Sequence, residues 1–245
     1  RLMFSRRLQA ALRSLCGTSE QAIILLNRRG FSNFVLCREC GEVMECPNCQ
    51  VSLTYHQADR SLKCHYCLHR EQMPQKCPIC ASSYLRQFGV GTEQLEEALL
   101  KEFPQLKTIR LDADTSRRKG AHASILRQFG RGDAQVLIGT QMVAKGLDFP
   151  NVTLVGVLSA DLALNFPDIR SSERTFQLLT QVAGRSGRGE KEGVVIVQSY
   201  DPSHFAIRTA QKHDYLGFYR QEISFRRSMG YPPFRQLTRI LCSGP

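Results

Sequence analysis

Two observations predict an α/β fold built on a parallel sheet, and a third shows that something interrupts it. Short apolar runs alternate with amphipathic stretches along most of the 245 residues, the pattern of strands covered by helices. The stretches are punctuated where helices should end, by Gly17 and by Pro104. Between Cys37 and Cys80 the alternation gives way to four Cys-x-x-Cys pairs.

The first expected element is a helix from Arg6 to Leu15, ended by Gly17. It leads into the apolar strand Ala22 to Leu26 and then Asn27-Arg28-Arg29-Gly30. Beyond the cysteines come a short strand near Tyr84 to Phe88, a helix from Thr92 to Phe103 and a strand from Thr108 to Leu111. A helix from about Arg118 to Phe129, a strand from Gln135 to Gly139 and a strand from Val152 to Leu158 follow. A helix from Ser171 to Val182 and a last strand from Val194 to Gln198 complete the alternation. From about Asp201 the chain turns to helical stretches rich in Arg, Phe and Tyr, whose aromatics at helical spacing suit a core better than a nucleic-acid surface. The expected organisation is a discontinuous α/β lobe over 1–33 and 84–200, a cysteine module over 34–83 and the start of a further domain over 201–245. Because the chain opens on Arg1 and stops at Ser-Gly-Pro, a piece of something longer is expected.

Thirty-three Lys and Arg stand against 22 Asp and Glu, giving +11. Such a field favours a polyanion, so nucleic acid is the first partner to test, with an inert basic surface as the competing reading. No run of 18 apolar residues occurs, so no membrane partner is expected.

The cysteine spacing points to metal. Cys37/Cys40, Cys46/Cys49, Cys64/Cys67 and Cys77/Cys80 form four like knuckles, and a tight turn lets both thiolates of a pair face one ion. A lone pair could be redox-active, but four within 44 residues favour two zinc ions that use all eight sulfurs. The intervals discriminate among pairings. Five residues between Cys40 and Cys46 are too few for a comfortable hairpin, whereas Val51, Leu53 and Tyr55 alternate ahead of the turn-like His56 to Arg60 and Leu62. Cys46, Cys49, Cys64 and Cys67 are therefore expected to form an inner site, and Cys37, Cys40, Cys77 and Cys80 an outer one that clips the ends together. Both are structural, because four thiolates leave no open position for water. His56, His65 and His69 are expected at the surface, and Cys16 and Cys242 as small apolar residues.

Ligands collect at the carboxyl ends of strands in open α/β sheets, so the loops come next. In Gly139 to Pro150, Thr140 and Gln141 can bond phosphate oxygens, Gly146 permits close backbone approach, and Asp148 can meet a ribose or orient an arginine. In Gln181 to Gly189, Gly184 suits a left-handed position past a helix end, and Arg185 and Arg188 can reach a transferring phosphoryl group. An arginine-rich loop that binds a nucleic-acid backbone, or is merely solvated, is the competing reading.

Gln-x-x-Gly-Arg-x-Gly-Arg, preceded by Thr-Gln-x-x-x-Lys-Gly-x-Asp-Phe, resembles motifs VI and V in the second RecA-like lobe of superfamily 2 helicases. With the inserted cysteine module, the chain is similar over its whole length to the primosomal replication-restart helicases of that superfamily. Asn27 to Phe31, Gly91 to Glu96, Gly139 to Met142 and Arg170 to Arg174 agree with that family. The resemblance implies a RecA-like lobe with a double zinc-ribbon-like insertion, working in an ATP-dependent 3′-to-5′ DNA helicase. It implies ATP with Mg²⁺ faced by Arg185 and Arg188, with Gly146, Asp148 and Gln181 coupling nucleotide to DNA. Arg28, Arg29, Thr140 and Gln141 are the candidate DNA contacts. Implied partners are single-stranded and branched DNA, other primosome proteins and single-stranded DNA-binding protein, in the bacterial cytoplasm at the nucleoid. The sequence departs from the family at Leu147, where members carry histidine, so no proton-transfer role is implied there. It holds no Gly-x-x-x-x-Gly-Lys-Ser/Thr loop and no Asp-Glu-x-His-like motif, so the chain alone is expected not to hydrolyse ATP. A non-enzymatic zinc-ribbon adaptor for nucleic acid is the alternative.

Overall fold

The computed structural model describes residues 3–26, 34–56, 59–87, 91–112, 115–116, 118, 120–140, 149–184 and 193–238. Helix α1 (Arg6–Leu15) is capped by Ser5, whose Oγ accepts from the Leu8 amide at 3.3 Å, and Gly17 turns the chain with φ +81°. Strand β1 (Gln21–Leu26) follows and is buried throughout. The interrupting segment contributes β2 (Val35–Cys37), β3 (Thr54–His56), β4 (Ser61–Lys63), β5 (Arg70–Gln72) and β6 (Leu85–Gln87). The lobe then resumes with α2 (Thr92–Glu102), β7 (Thr108–Leu111), α3 (Ala121–Gly130), β8 (Val136–Gly139) and β9 (Val152–Leu158). A short helix α4 (Asp161–Leu164), helix α5 (Ser171–Ala183) and strand β10 (Val194–Val197) precede the C-terminal helices α6 (Phe205–Gln211) and α7 (Tyr215–Ser228).

The main sheet runs β10-β9-β1-β8-β7 and every pairing in it is parallel. Strand β1 sits at its centre, which is why its side chains need to be apolar on both faces. Ala22, Ile24 and Leu26 point to the side covered by α1 and α2, where Leu8, Leu12, Leu95 and Leu99 are buried. Ile23 and Leu25 point to the other side, covered by α3, α5 and the C-terminal helices through Phe129, Phe176, Leu179 and Phe218. Each such Leu, Ile or Phe contributes about 1.5–3 kcal/mol relative to an exposed position. Gly156 on β9 lets α1 lie close, since a Cβ there would meet Ile24 Cδ1 at 2.8 Å and Leu8 Cδ1 at 3.1 Å.

The short strand expected near Tyr84 to Phe88 stands outside this sheet. As β6 it pairs antiparallel with β2, Cys37 opposite Leu85, so the two ends of the interruption are joined as a ribbon. Strands β3, β4 and β5 form a separate antiparallel sheet, whose first hairpin lies where the alternation of Val51, Leu53 and Tyr55 puts it. The last helix turn differs from expectation too. Gly184 ends α5 with φ −76° and is not left-handed, because its amide still closes a helical bond to the Thr180 carbonyl.

Candidate functional site

All four Cys-x-x-Cys pairs adopt one geometry. In each, the amide four residues after the first cysteine donates to that cysteine's carbonyl: Gly41 to Cys37, Gln50 to Cys46, Leu68 to Cys64 and Ala81 to Cys77, at 2.8–3.1 Å. Each of those four donors is left-handed, with φ between 49° and 86°. The first cysteine's own amide then donates one residue further on, to the carbonyls of Glu42, Val51, His69 and Ser82. The chain thus reverses around the sulfurs, and the first cysteine of each pair is buried while the second is exposed in three pairs and half buried at Cys49. Cys37, Cys46, Cys64 and Cys77 belong to a small core with Val35, Met44, Leu53, Leu62 and Leu85.

The knuckles meet two by two. Cys37, Cys40, Cys77 and Cys80 hold their sulfurs within 4.8 Å of one another, and so do Cys46, Cys49, Cys64 and Cys67. Across the pairs, Cys37 faces Cys80 at 3.6 Å, Cys40 faces Cys77 at 3.6 Å and Cys46 faces Cys67 at 3.5 Å. A tetrahedral zinc with bonds of about 2.3 Å sets its sulfurs about 3.8 Å apart, so both clusters are compatible with structural zinc. Burial opposes ionisation of Cys37, but the amides of Cys40 and Glu39 and the thiols of Cys80 and Cys40 outweigh it and bring the group down to about 7. The His69 amide leads in bringing Cys67 to about 6, against burial and with help from Cys46, Asn48 and Cys49. Burial and the Cys67 and Cys64 sulfurs push Cys49 up. Zinc binds thiolates, so a cation entering either cluster displaces thiol protons. Neither cluster includes a histidine; His65 is exposed as expected, and His56 and His69 are half buried. Cys16 is half buried against the main core.

The inner cluster is braced from outside the module. Tyr231, beyond α7, donates its hydroxyl to the Cys49 carbonyl at 2.6 Å, and the Ile169 amide donates to the Tyr66 hydroxyl at 3.3 Å. These braces and the left-handed positions were missed in the sequence. Only Gly41 among the four carries the residue type that marks such a backbone, and its Cβ would in any case meet Tyr200 at 2.8 Å.

The two helicase-like loops are anchored at both edges of the sheet. The first leaves β8 at Gly139, opposite Leu25 near the end of β1, so Thr140 stands at the carboxyl edge. It returns at Asn151, whose carbonyl accepts from the Gln21 amide at the start of β1, and so ends at the amino edge. Phe149, just before that return, packs edge-on against Phe129 with centroids 4.8 Å apart. The second loop does not follow a strand. It links α5 to β10, and because β9 and β10 are parallel, α5 runs back and the loop's anchors lie at the amino edge. Gln181 is exposed on the last turn of α5. The ends of 140–151 thus stand at opposite edges, its second end at the same edge as the anchors of 185–192. Arg28, Arg29, Gln141, Gly146, Leu147, Asp148, Arg185, Arg188 and Cys242 lie outside the described residues.

Comparison with known proteins agrees with this architecture. The helicase conserved C-terminal domain family matches residues 63–190, and the PriA DNA helicase Cys-rich region domain matches 46–72, which holds the inner cluster. The chain is 54% identical over 243 residues to the replication restart protein PriA of Bacillus subtilis, covering 99% of this chain and 30% of that protein. It is 53% identical to that of Synechocystis, with 100% and 30% covered, and 44% identical to that of Chlamydia pneumoniae, with 100% and 33% covered. The chain therefore spans about a third of the length of these relatives. An all-parallel lobe carrying a double four-cysteine insertion, matched in this way from end to end, belongs to the helicase conserved C-terminal domain family, in the group that carries the PriA Cys-rich region.

Proposed function

We propose that this chain is the C-terminal half of the motor of an ATP-dependent 3′-to-5′ DNA helicase that recognises stalled or branched replication forks and initiates primosome assembly. What carries the reading is the helicase-family lobe interrupted by two four-cysteine clusters, with PriA relatives matching along its whole length. ATP with Mg²⁺ is held mainly by a preceding lobe. Arg185 and Arg188 donate to the γ-phosphoryl oxygens as charge spreads over them, the planar guanidinium suiting that geometry. Thr140, which stands at the carboxyl edge, meets the DNA backbone together with Gln141, Arg28 and Arg29. Gly146 and Asp148 fall in sequence between Thr140 and Asn151, and with Gln181 they couple DNA contact to nucleotide contact. The positions of Gly139 and Asn151 at opposite edges of the sheet support the coupling role. Repeated closure and opening of the lobes moves the protein along one strand.

The eight cysteines hold two structural zinc ions and take no part in turnover. Residues 201–245 begin the C-terminal domain, whose helices α6 and α7 pack on α5, and the lobe occupies 1–33 and 91–200, with the module extended from 34–83 to take in β6. Single-stranded and branched DNA, primosome proteins and single-stranded DNA-binding protein are the partners, in the bacterial cytoplasm. Among the described residues no helix is long and apolar enough to cross a membrane. In the full-length protein, Arg188→Ala is expected to lower DNA-stimulated ATP turnover by about 10³ or more, while fork binding and two bound zinc ions persist. Unchanged turnover would refute the reading.

A further inference from the structure

Helix α5 carries the start of the arginine-bearing loop on its end, and the C-terminal helices grip it along its length. Phe176 lies flat on Phe218, with centroids 4.3 Å and planes 15° apart, and Phe218 stacks in turn with Phe205 at 5.6 Å. Such apolar contacts set how closely α5 approaches α6 and α7. They say little about sliding or rotation, because burial is non-directional. A polar contact adds the missing direction. Arg226 on α7 donates from Nη2 to Glu173 Oε2 at 2.8 Å and from Nε to Glu222 Oε1 at 2.8 Å. Its Nη1 also reaches the Pro232 carbonyl at 3.5 Å. One guanidinium, with its side chain 14% exposed, thus ties the first turn of α5 to α7 and to the segment beyond it.

Glu173 and Ala183 belong to one continuous helix of 13 residues. A helix that short moves as a rod, so a shift or rotation at its first turn reaches its last. Lysine could not replace the arginine, since a point charge on a flexible stem cannot hold two carboxylates in fixed directions. We propose that Arg226 is a positioning residue for nucleotide turnover: by pairing with Glu173 it sets the axial and rotational place of α5, and with it the place of Gly184, from which the arginine-bearing segment departs. The inference rests on the reading of Arg185 and Arg188 given above.

The test compares, in the full-length protein, the affinity for ADP with aluminium fluoride, which mimics the transferring phosphoryl group, with the affinity for ADP alone. Arg226→Gln is expected to weaken the aluminium fluoride complex roughly tenfold relative to ADP, with kcat falling alike and KM for ATP unchanged. Partial unfolding lowers kcat but leaves that ratio of affinities intact, since both ligands report on the folded fraction. Glu173→Gln, which keeps Arg226 paired with Glu222, is expected to give the same loss, and it decides the matter where Arg226→Gln does not fold. Arg226→Lys falls between wild type and Arg226→Gln. An unchanged ratio in Glu173→Gln overturns the positioning role. Arg188→Ala measured alongside separates the two claims. If it alone collapses the ratio, Arg226 has no positioning role; if it too leaves the ratio unchanged, the reading of the arginine loop fails and the positioning role with it.

Discussion

A left-handed residue four places after the first cysteine closes every knuckle, and in three of the four that residue is Gln50, Leu68 or Ala81 rather than glycine. An ordinary side chain in that conformation costs about 1–2 kcal/mol, which the knuckle's two amide bonds and the metal must offset. Residue identity alone therefore hid a regularity that the cysteine spacing half revealed. His204 is another position whose role needed the fold. It caps α6 by accepting from the Ala206 amide at Nδ1, 3.2 Å away, and stacks on Phe205. Burial holds its pKa below the usual histidine value, against the attraction of Asp201 and Asp161. A depressed folded-state pKa means that the histidine's contribution is complete above about pH 6.5 and is lost as pH falls through the folded value. Protonation also removes the acceptor that caps the helix. Between pH 7 and pH 5 the melting temperature of the wild type should fall further than that of His204→Asn, which caps without titrating. Parallel pH profiles for the two proteins would remove His204 from the account.

At the scale of elements, the helices and strands of the lobe were legible because each carries its own periodicity. Helix α1, strand β7 and strand β9 lie where apolar spacing and punctuation put them. Among the elements of three residues, the hairpin of β3 and β4 and strand β6 were legible, and others were not. Strand β5 was not anticipated, since Arg70–Gln72 is polar and exposed and exists only as a partner of β4. Strands this short do not stand alone, and the core beneath them is built partly from the cysteines themselves. Metal is therefore expected to be folding energy for the module, on the order of 10 kcal/mol for a structural site. Chelation should abolish hydrogen-exchange protection across 46–72 while β1 and β8, buried in the parallel sheet, keep theirs. Loss of protection throughout the chain would mean that the module and the lobe fold as one unit.

At the scale of the molecule, the module is fastened to both the lobe and the C-terminal segment. Burial and the sulfurs of the inner cluster push the Tyr231 phenol up, which keeps its proton available to the Cys49 carbonyl. Removing that hydroxyl in Tyr231→Phe leaves a carbonyl short of a partner, at a cost of about 1–3 kcal/mol. The variant should retain both zinc ions, yet residues 229–238 should be cleaved faster in limited proteolysis. Unchanged cleavage would mean that the T-shaped packing of Phe225 on Tyr231, at 6.2 Å, suffices to seat the segment.

The sequence by itself determined the order of helices and strands, the division of eight cysteines into an inner and an outer set, and the two loops that resemble helicase motifs. These are properties of short windows, where periodicity, turn residues and spacing act directly. Tertiary structure alone decided that β1 lies at the centre of the sheet, that β6 pairs with β2, and that Gly139 and Asn151 stand at opposite edges of the sheet. It also seated α7 on α5 through Arg226 and Glu173. These depend on which distant segments pair, and pairing between strands more than a hundred residues apart is set by the shared core rather than by any window of the chain.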